Sequence, residues 1–222
     1  MASSETLTTL RDRVELVLQD SSNLKWSSGQ LDEAIEMALQ RYNRSFPDEA
    51  IGTITLAAAG REISLATLTG WLGVRRVWWD YDSSDPEYPP NWRDFEVWPG
   101  AILYIRDSEE PQSGDVVRVW YTRPHTLDGL ASATATTFPY DHEEIIITGA
   151  AALAAYARAI GRSEKVNVDS DVTARLQAWA KDKLAQFQAA LRKLEAASAA
   201  QASGIAPGPA LDRWDTEIDR WR

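Results

Sequence analysis

The residues that could do chemistry are sparse. The two histidines, His125 and His142, are far apart, and there is no cysteine in the 222-residue chain. That removes disulfides, thiolate zinc sites and cysteine nucleophiles together. His142-Glu143-Glu144 has the residue types of a metal site. It also has the acids expected in a helix first turn, where carboxylates favour the positive end of the dipole, and that is the reading favoured here. Asp80, Asp82, Asp85, Glu87, Asp94 and Glu96 supply carboxylates near aromatics that could stack on sugars. No spacing selects two of them as an acid and base pair for glycoside chemistry. Asp80-x-Asp82-x-x-Asp85 lacks the glycine and terminal glutamate of an EF-hand loop. Gly70-Trp71-Leu72-Gly73 lacks the glycine run and lysine of a phosphate loop, and no G-x-S-x-G or H-E-x-x-H occurs. The expectation is a protein that is not an enzyme and takes no cofactor and no metal.

Charge points the same way. The net charge is −10, whereas a surface that holds nucleic acid by neutralising phosphates should be basic. Ten acids and two bases, Arg93 and Arg106, lie between Asp80 and Asp115. The plain reading is a solvated face. The functional one is a field that repels polyanions or attracts a basic partner. Ten tryptophans are present, six of them between residues 51 and 122. Trp78, Trp98 and Trp120 sit at alternating strand positions and are expected in a sheet core. Trp214 and Trp221 lie in a short tail with no core of its own, so partner binding is expected there.

The elements that must position these residues follow from periodicity. Leu7, Leu10, Val14 and Val17 predict a first helix, capped by Ser3 or Ser4. Ser27 and Gln30 form a capping box, with Trp26 and Leu31 as its hydrophobic staple. Leu31, Ile35, Ala38, Leu39 and Tyr42 are the stripe of that second helix, which Pro47 ends. From Ile51 to Thr122 the period becomes that of strands. Ile54 and Leu56 are expected to pair with Ile63 and Leu65 as a hairpin around Gly60, within one small sheet of five or six strands resting largely on aromatics. Pro99-Gly100 marks another turn. Asp141 with Glu144 caps a third, alanine-rich helix that is expected to end at Gly161. The longest helix runs from Ser170 to Ala197, roughly 42 Å, on a stripe of Val172, Leu176, Trp179, Lys183 or Leu184, Phe187, Leu191 and Leu194.

The expected fold class is therefore α+β. A four-helix core is built from helix pairs in 1–50 and 123–197, with a small antiparallel β module inserted at 51–122 and an extended C-terminal arm at 198–222. Ala196–Ala210 has linker composition. Beyond it Leu211, Trp214, Ile218 and Trp221 recur at three, four and three, flanked by Arg213, Arg220 and Arg222. Twelve residues do not hold a helix alone in water, so this tail needs a surface to lie on. No export signal or bilayer-spanning segment is expected: Met1–Leu10 is polar, and the apolar run Ile145–Ala157 is short. The expectation is a soluble intracellular product.

Several segments carry a resemblance. They are Leu10-Arg11-Asp12-Arg13-Val14, Trp26-Ser27-Ser28-Gly29-Gln30-Leu31-Asp32-Glu33-Ala34-Ile35 and Ala38-Leu39-Gln40-Arg41-Tyr42, then Val119-Trp120-Tyr121-Thr122-Arg123-Pro124-His125-Thr126-Leu127, then Phe138-Pro139-Tyr140-Asp141-His142-Glu143-Glu144. In this order the chain resembles the tailed-bacteriophage head–tail connector (adaptor) proteins over most of residues 7–195. The resemblance implies a non-enzymatic virion protein, made in the host cytoplasm and placed at the head–tail interface. It implies a homo-oligomeric ring, commonly of about twelve copies, beneath the portal protein ring. That ring extends the DNA channel, passes viral DNA without sequence-specific binding, and offers a platform for the next neck or tail protein; no membrane is involved. The family's C-terminal segment reaches the portal. Carried to this chain, that segment is Gln201–Arg222, with Leu211, Arg213, Trp214, Ile218, Arg220, Trp221 and Arg222 as portal- or partner-binding residues. The β insert departs from the all-helical members. Two other readings are a stopper or tail-terminator protein, and a carbohydrate-binding module or glycoside hydrolase built on the aromatic β region.

Overall fold

The computed structural model describes residues 2–20, 22, 24–85, 90–163 and 170–202; for 162, 163, 170 and 199–202 it describes the backbone alone. The fold is α+β, with four α-helices and two small antiparallel sheets. Two compact units divide the chain. One comprises Met1–Thr6 with Pro47–Tyr140, the other Leu7–Phe46 with Asp141 onward.

In the helical unit, α1 (Leu7–Leu18) and α2 (Ser28–Ser45) are followed, after the strands, by α3 (Glu143–Ser163) and α4 (Ser170–Ala202). The Ser27 and Gln30 capping box is present in both directions, and Trp26 and Leu31 beside it are buried. The α2 stripe Leu31, Ile35, Ala38, Leu39 and Tyr42 is buried throughout. On α1 the inward face is Leu10, Val14 and Leu18, and Val17 turns outward. Serine capping of α1 is corrected too. Ser3 N–H donates to Phe138 O, and Ser3 Oγ accepts from the Glu5 N–H, inside the other unit. A 3-10 turn (Tyr140–His142) leads into α3, which runs past Gly161, so that glycine is not the cap.

The alanines of α3 do what small residues do between helices. Ala150, Ala151, Ala152, Ala154 and Ala155 are buried. At Gly149 a Cβ would stand 2.8 Å from the ring of Phe187 on α4, so only glycine admits this approach. Tyr140–Gly161 is long and apolar enough by composition to cross a membrane, and 56% of its apolar 18-residue portion is buried within the protein. That burial matches a core helix. On α4, Ala180, Phe187 and Leu191 are buried while Val172 is exposed, so the stripe packs only in its middle.

The β unit holds six strands: β1 (Asp48–Thr55), β2 (Glu62–Ser64), β3 (Gly73–Trp79), β4 (Phe95–Trp98), β5 (Ile102–Ile105) and β6 (Val116–Arg123). They form two three-stranded sheets, ordered β1-β6-β3 and β2-β5-β4. The expected single sheet and the hairpin at Gly60 are thus corrected. β1 pairs with β6 from Asp48↔Arg123 to Thr55↔Val116, and β2 pairs with β5. The Gly60 N–H donates to Pro111 O instead. Pro99-Gly100 does make a tight hairpin, with Trp98 opposite Ile102 and Gly100 at φ +86°.

The core between these strands is aliphatic. Ile54, Leu56, Ile63, Leu65, Leu68, Val77, Leu103, Ile105, Val117 and Val119 are joined by Trp79 and Tyr121. The strand period explains why the expected aromatic core is absent. Val117, Val119 and Tyr121 of β6 face the core, so Arg118 and Trp120 face away from it. On β3, Val77 and Trp79 join the aliphatic core, and Trp78 is buried on the opposite face.

Candidate partner-binding surfaces

In the helical unit the turn between α1 and α2 is held by one carboxylate. Asp20 accepts from the backbone N–H groups of Leu24, Lys25 and Trp26 at 3.2, 2.8 and 2.9 Å. Burial by itself would raise this carboxyl, but the three N–H donors outweigh it and hold the group below its ordinary value. Trp26 anchors the next residue. Its indole Nε1–H donates to Ala154 O at 3.2 Å. The Arg158 guanidinium lies 5.0 Å from the Trp26 ring centroid and donates to Lys25 O. The fixed turn presents Leu24, 85% exposed, and the outer face of α1 presents Leu16, 74% exposed.

On α2 and α3 lies a groove of about 720 Å³. Its lining includes Trp26, Ala34, Met37, Leu153, Ala157 and Ile160, with Glu33, Arg41 and Arg158 as charged members. Elsewhere the unit is closed by ion pairs. Arg11 holds Asp32 in a two-pronged pair at 2.8 and 2.9 Å. The hydrogen bond to Asp32 raises the Arg11 guanidinium above its ordinary value, against the opposing effect of burial. Arg13 donates to the buried Glu143 at 2.6 Å. The Tyr42 hydroxyl and His142 Nδ1 stand 2.6 Å apart. Thus His142 and Glu143 are used internally, and no group of three or more metal-ligating side chains occurs among the described residues.

In the β unit the outer aromatics pack on one another. Trp120 stacks on Trp78 with centroids 6.4 Å apart, and Trp92 meets Trp120 edge-on at 5.0 Å. Arg76 lies over Trp92, and Arg118 over both Tyr81 and Trp120. Trp98, also placed in the core by its spacing, is 36% exposed and stacks on Tyr104 at 4.3 Å. The sugar-stacking faces expected of such rings are largely occupied by neighbouring rings and guanidinium groups. Part of the acidic block is likewise engaged, through Asp82, Glu96, Asp107 and Asp115. Asp82 accepts from the backbone N–H and Oγ of Ser84. Asp107 pairs with Arg93, and Asp115 accepts from Trp79 Nε1 and the Gln112 N–H. Glu96 pairs with Arg106 and accepts from Trp98 Nε1.

The tail residues expected to bind a partner, Leu211, Arg213, Trp214, Ile218, Arg220, Trp221 and Arg222, lie outside the described residues. Sequence reasoning missed the groove and the exposed leucines. The available signal was apolar residues off the buried stripe, such as Leu16 and Met37.

The family model for the SU10 adaptor protein matches residues 5–209. The chain belongs to the SU10 adaptor protein family. No curated protein matches it. The match spans both units and stops short of Leu211. As a member of a phage head–tail adaptor family the protein is a structural component of the virion. The adaptor's four helices and inserted strands lie wholly within the matched span.

Proposed function

We propose that this adaptor forms a ring under the portal, extends the DNA channel and carries the next neck or tail protein. The family match over residues 5–209 carries the reading. The adaptor has no catalytic role. Its partners are the portal ring, further copies of itself and the next neck or tail protein, with viral DNA passing through unbound by sequence. Net charge of −10 suits a conduit, because a basic lumen would hold phosphates by counterion release.

Attachment to the portal is assigned to the tail, through Leu211, Trp214, Ile218 and Trp221 with Arg213, Arg220 and Arg222 around them. Apolar residues at these intervals share one helical face, the pattern of a helix laid into a groove. Of the expected linker Ala196–Ala210, the part up to Ala202 belongs to α4; the small-residue and proline composition of 203–210 suits a tether that would raise the effective concentration of that anchor.

The test is the mass, by analytical ultracentrifugation, of the full chain mixed with the portal ring of the same virus. A portal-sized species that gains a ring of copies supports the proposal. A chain that stays apart from an intact portal refutes it. Truncation after Ala202 should keep the helical content and abolish attachment. A truncated chain that still binds moves the anchor to the folded part.

A further inference from the structure

We infer that neighbouring adaptor copies stack their β units face to face: the arginine-bearing outer face of β1-β6-β3 in one copy meets the acidic outer face of β2-β5-β4 in the next. The inference rests on the ring reading above and names the surfaces that make the ring.

The two faces lie on opposite sides of one core. Ile54, Val77, Val117 and Val119 of the first sheet and Ile63, Leu103 and Ile105 of the second share a single aliphatic cluster. Strand alternation turns the residues between them away from it, in opposite directions on the two sheets. On the first sheet the register sets Thr53, Arg118 and Trp78 in one outer row, and Ile51, Trp120 and Arg76 in the next. On the second sheet it sets Tyr104 between Glu62 and Glu96. A contact between such unlike faces is heterologous, and it generates a ring when its rotation closes.

The charges of the two faces are complementary. Among the described residues Arg11, Arg13, Arg93, Arg106 and Arg123 each hold a carboxylate of the same chain. Arg76 and Arg118 hold none, and lie over Trp92, Tyr81 and Trp120 instead. A guanidinium over a ring keeps N–H donors for a carboxylate. Two such arginines side by side are out of character in a chain of net charge −10. The other sheet carries their match. Glu62 has no ionic partner among the described residues. Nor has Asp94, which is exposed and precedes the core-packed Phe95, so it points outward with Glu96. Arg106, on the same side, is already held by Glu96 at 3.3 Å. Glu49 lies two residues beyond Ile51 on β1 and borders the arginine face.

Spacing and apolar surface agree. Arg76 and Arg118 are diagonal neighbours on adjacent strands, about 7–8 Å apart. Asp94 and Glu96, two residues apart in extended chain, are separated by about 7 Å. Exposed Ile51 and Trp92 flank the arginines, and Trp98 stacked on Tyr104 flanks the acids. Arginine and aromatic residues are the types enriched in interface cores.

Charge reversal tests the pairing in the full-length chain. Arg76→Glu with Arg118→Glu makes both faces acidic. Glu62→Lys with Asp94→Lys makes both basic and breaks no ion pair within the chain. Copy-to-copy association is followed by analytical ultracentrifugation at low salt, with and without the portal ring of the same virus. Each reversed chain should associate about tenfold or more weakly than the parent, and added salt should weaken the parent itself. Mixed together, the two reversed chains should assemble again, because every contact then joins an acidic face to a basic one. Native mass spectrometry should count them in equal numbers. Circular dichroism checks folding, and Arg76→Gln with Arg118→Gln reads the same face should the reversed arginines not fold. Unaltered association in either reversed chain overturns the inference. So does a loss that mixing does not repair, which would hand the arginine face to an acidic surface of the portal or neck protein. A portal that gathers reversed copies as it gathers the parent sinks this contact alone. Association repaired by mixing, with no portal attachment, sinks the portal reading alone.

Discussion

The helical unit and the β unit solve the burial problem in opposite ways. The helices meet through small residues: Ala34, Ala38, Ala150, Ala151, Ala154, Ala159 and Ala180 are all buried. Backbones approach closely, and several large apolar side chains are left outside, among them Leu16, Leu24, Met37 and Ile160. The β unit builds its core from large aliphatics and lays arginines over Trp92 and Trp120 on the outer face, while Ile51, Leu72 and Val97 are exposed. Scattered exposed apolar residues such as Leu16 need no explanation, but Met37 and Ile160, exposed in the lining of one groove, stand apart from them. The difference between the units lies in how their interiors are packed, small residue against backbone in one and aliphatic against aliphatic in the other.

The largest effects should come from the two cores, and they should differ in kind. Phe187→Ala removes the ring that fills the space over Gly149 and should cost about 3–5 kcal/mol. Leu103→Ala, in the aliphatic core, should cost about 2–5 kcal/mol. The distinction lies in rescue. Gly149→Val should destabilise the parent through collision with Phe187. In the Phe187→Ala background it should instead recover part of the loss by filling the vacated volume. Chemical denaturation of the four chains of this cycle measures the coupling. A Gly149→Val cost that is the same in both backgrounds would mean that the close approach is not what holds α3 to α4.

Next in size is a contrast within the β unit. Trp79 lies in the aliphatic core and donates from Nε1 to Asp115 at 2.9 Å. Trp98 lies on the outer face. Trp79→Ala should cost about 3–5 kcal/mol, and Trp98→Ala about 1 kcal/mol, the scale of a surface ring pair. Equal losses in urea titrations would show that the outer rings carry the sheet as much as the core does.

This contrast shows where the sequence was legible. Helix packing is local: the stripe of α2 and the box at Ser27 and Gln30 could be read from neighbours three and four apart. Strand pairing is not local. β1 joins β6 across the whole insert, and nothing near Ile54 signals Val117 as its partner. A strand's period of two also leaves its inward face undecided: Trp78 is buried, as its spacing predicts, but on the face opposite the aliphatic core, where the half-buried Trp120 stacks on it. The groove was illegible for a third reason: it is shaped by where α2 and α3 separate, not by any motif.

The smallest effect tests the turns that position each unit's surface. Asp20 in the helical unit and Asp107 in the β unit both have carboxyls held below their ordinary value. For Asp20, burial pulls upward and the N–H groups of Trp26, Lys25 and Leu24 prevail. For Asp107 the Glu109 N–H leads, burial opposes, and Arg93 and Ser108 add to the lowering. A depressed folded-state value means that the stability from these carboxylates is present above the unfolded-state value, about 3.9. It is lost as pH falls through the folded-state value. Hydrogen exchange should therefore show the amides of residues 24–26 losing protection on acidification below about pH 4, beyond the loss elsewhere in the helices. Asp20→Asn should begin less protected at neutral pH and lose that extra acid sensitivity, with residue 109 unchanged. Asp107→Asn should do the converse. If both variants keep the parent's acid response at their own turns, the carboxylates do not hold those turns, and the rigidity that presents Leu24 must come from Trp26 and its bond to Ala154.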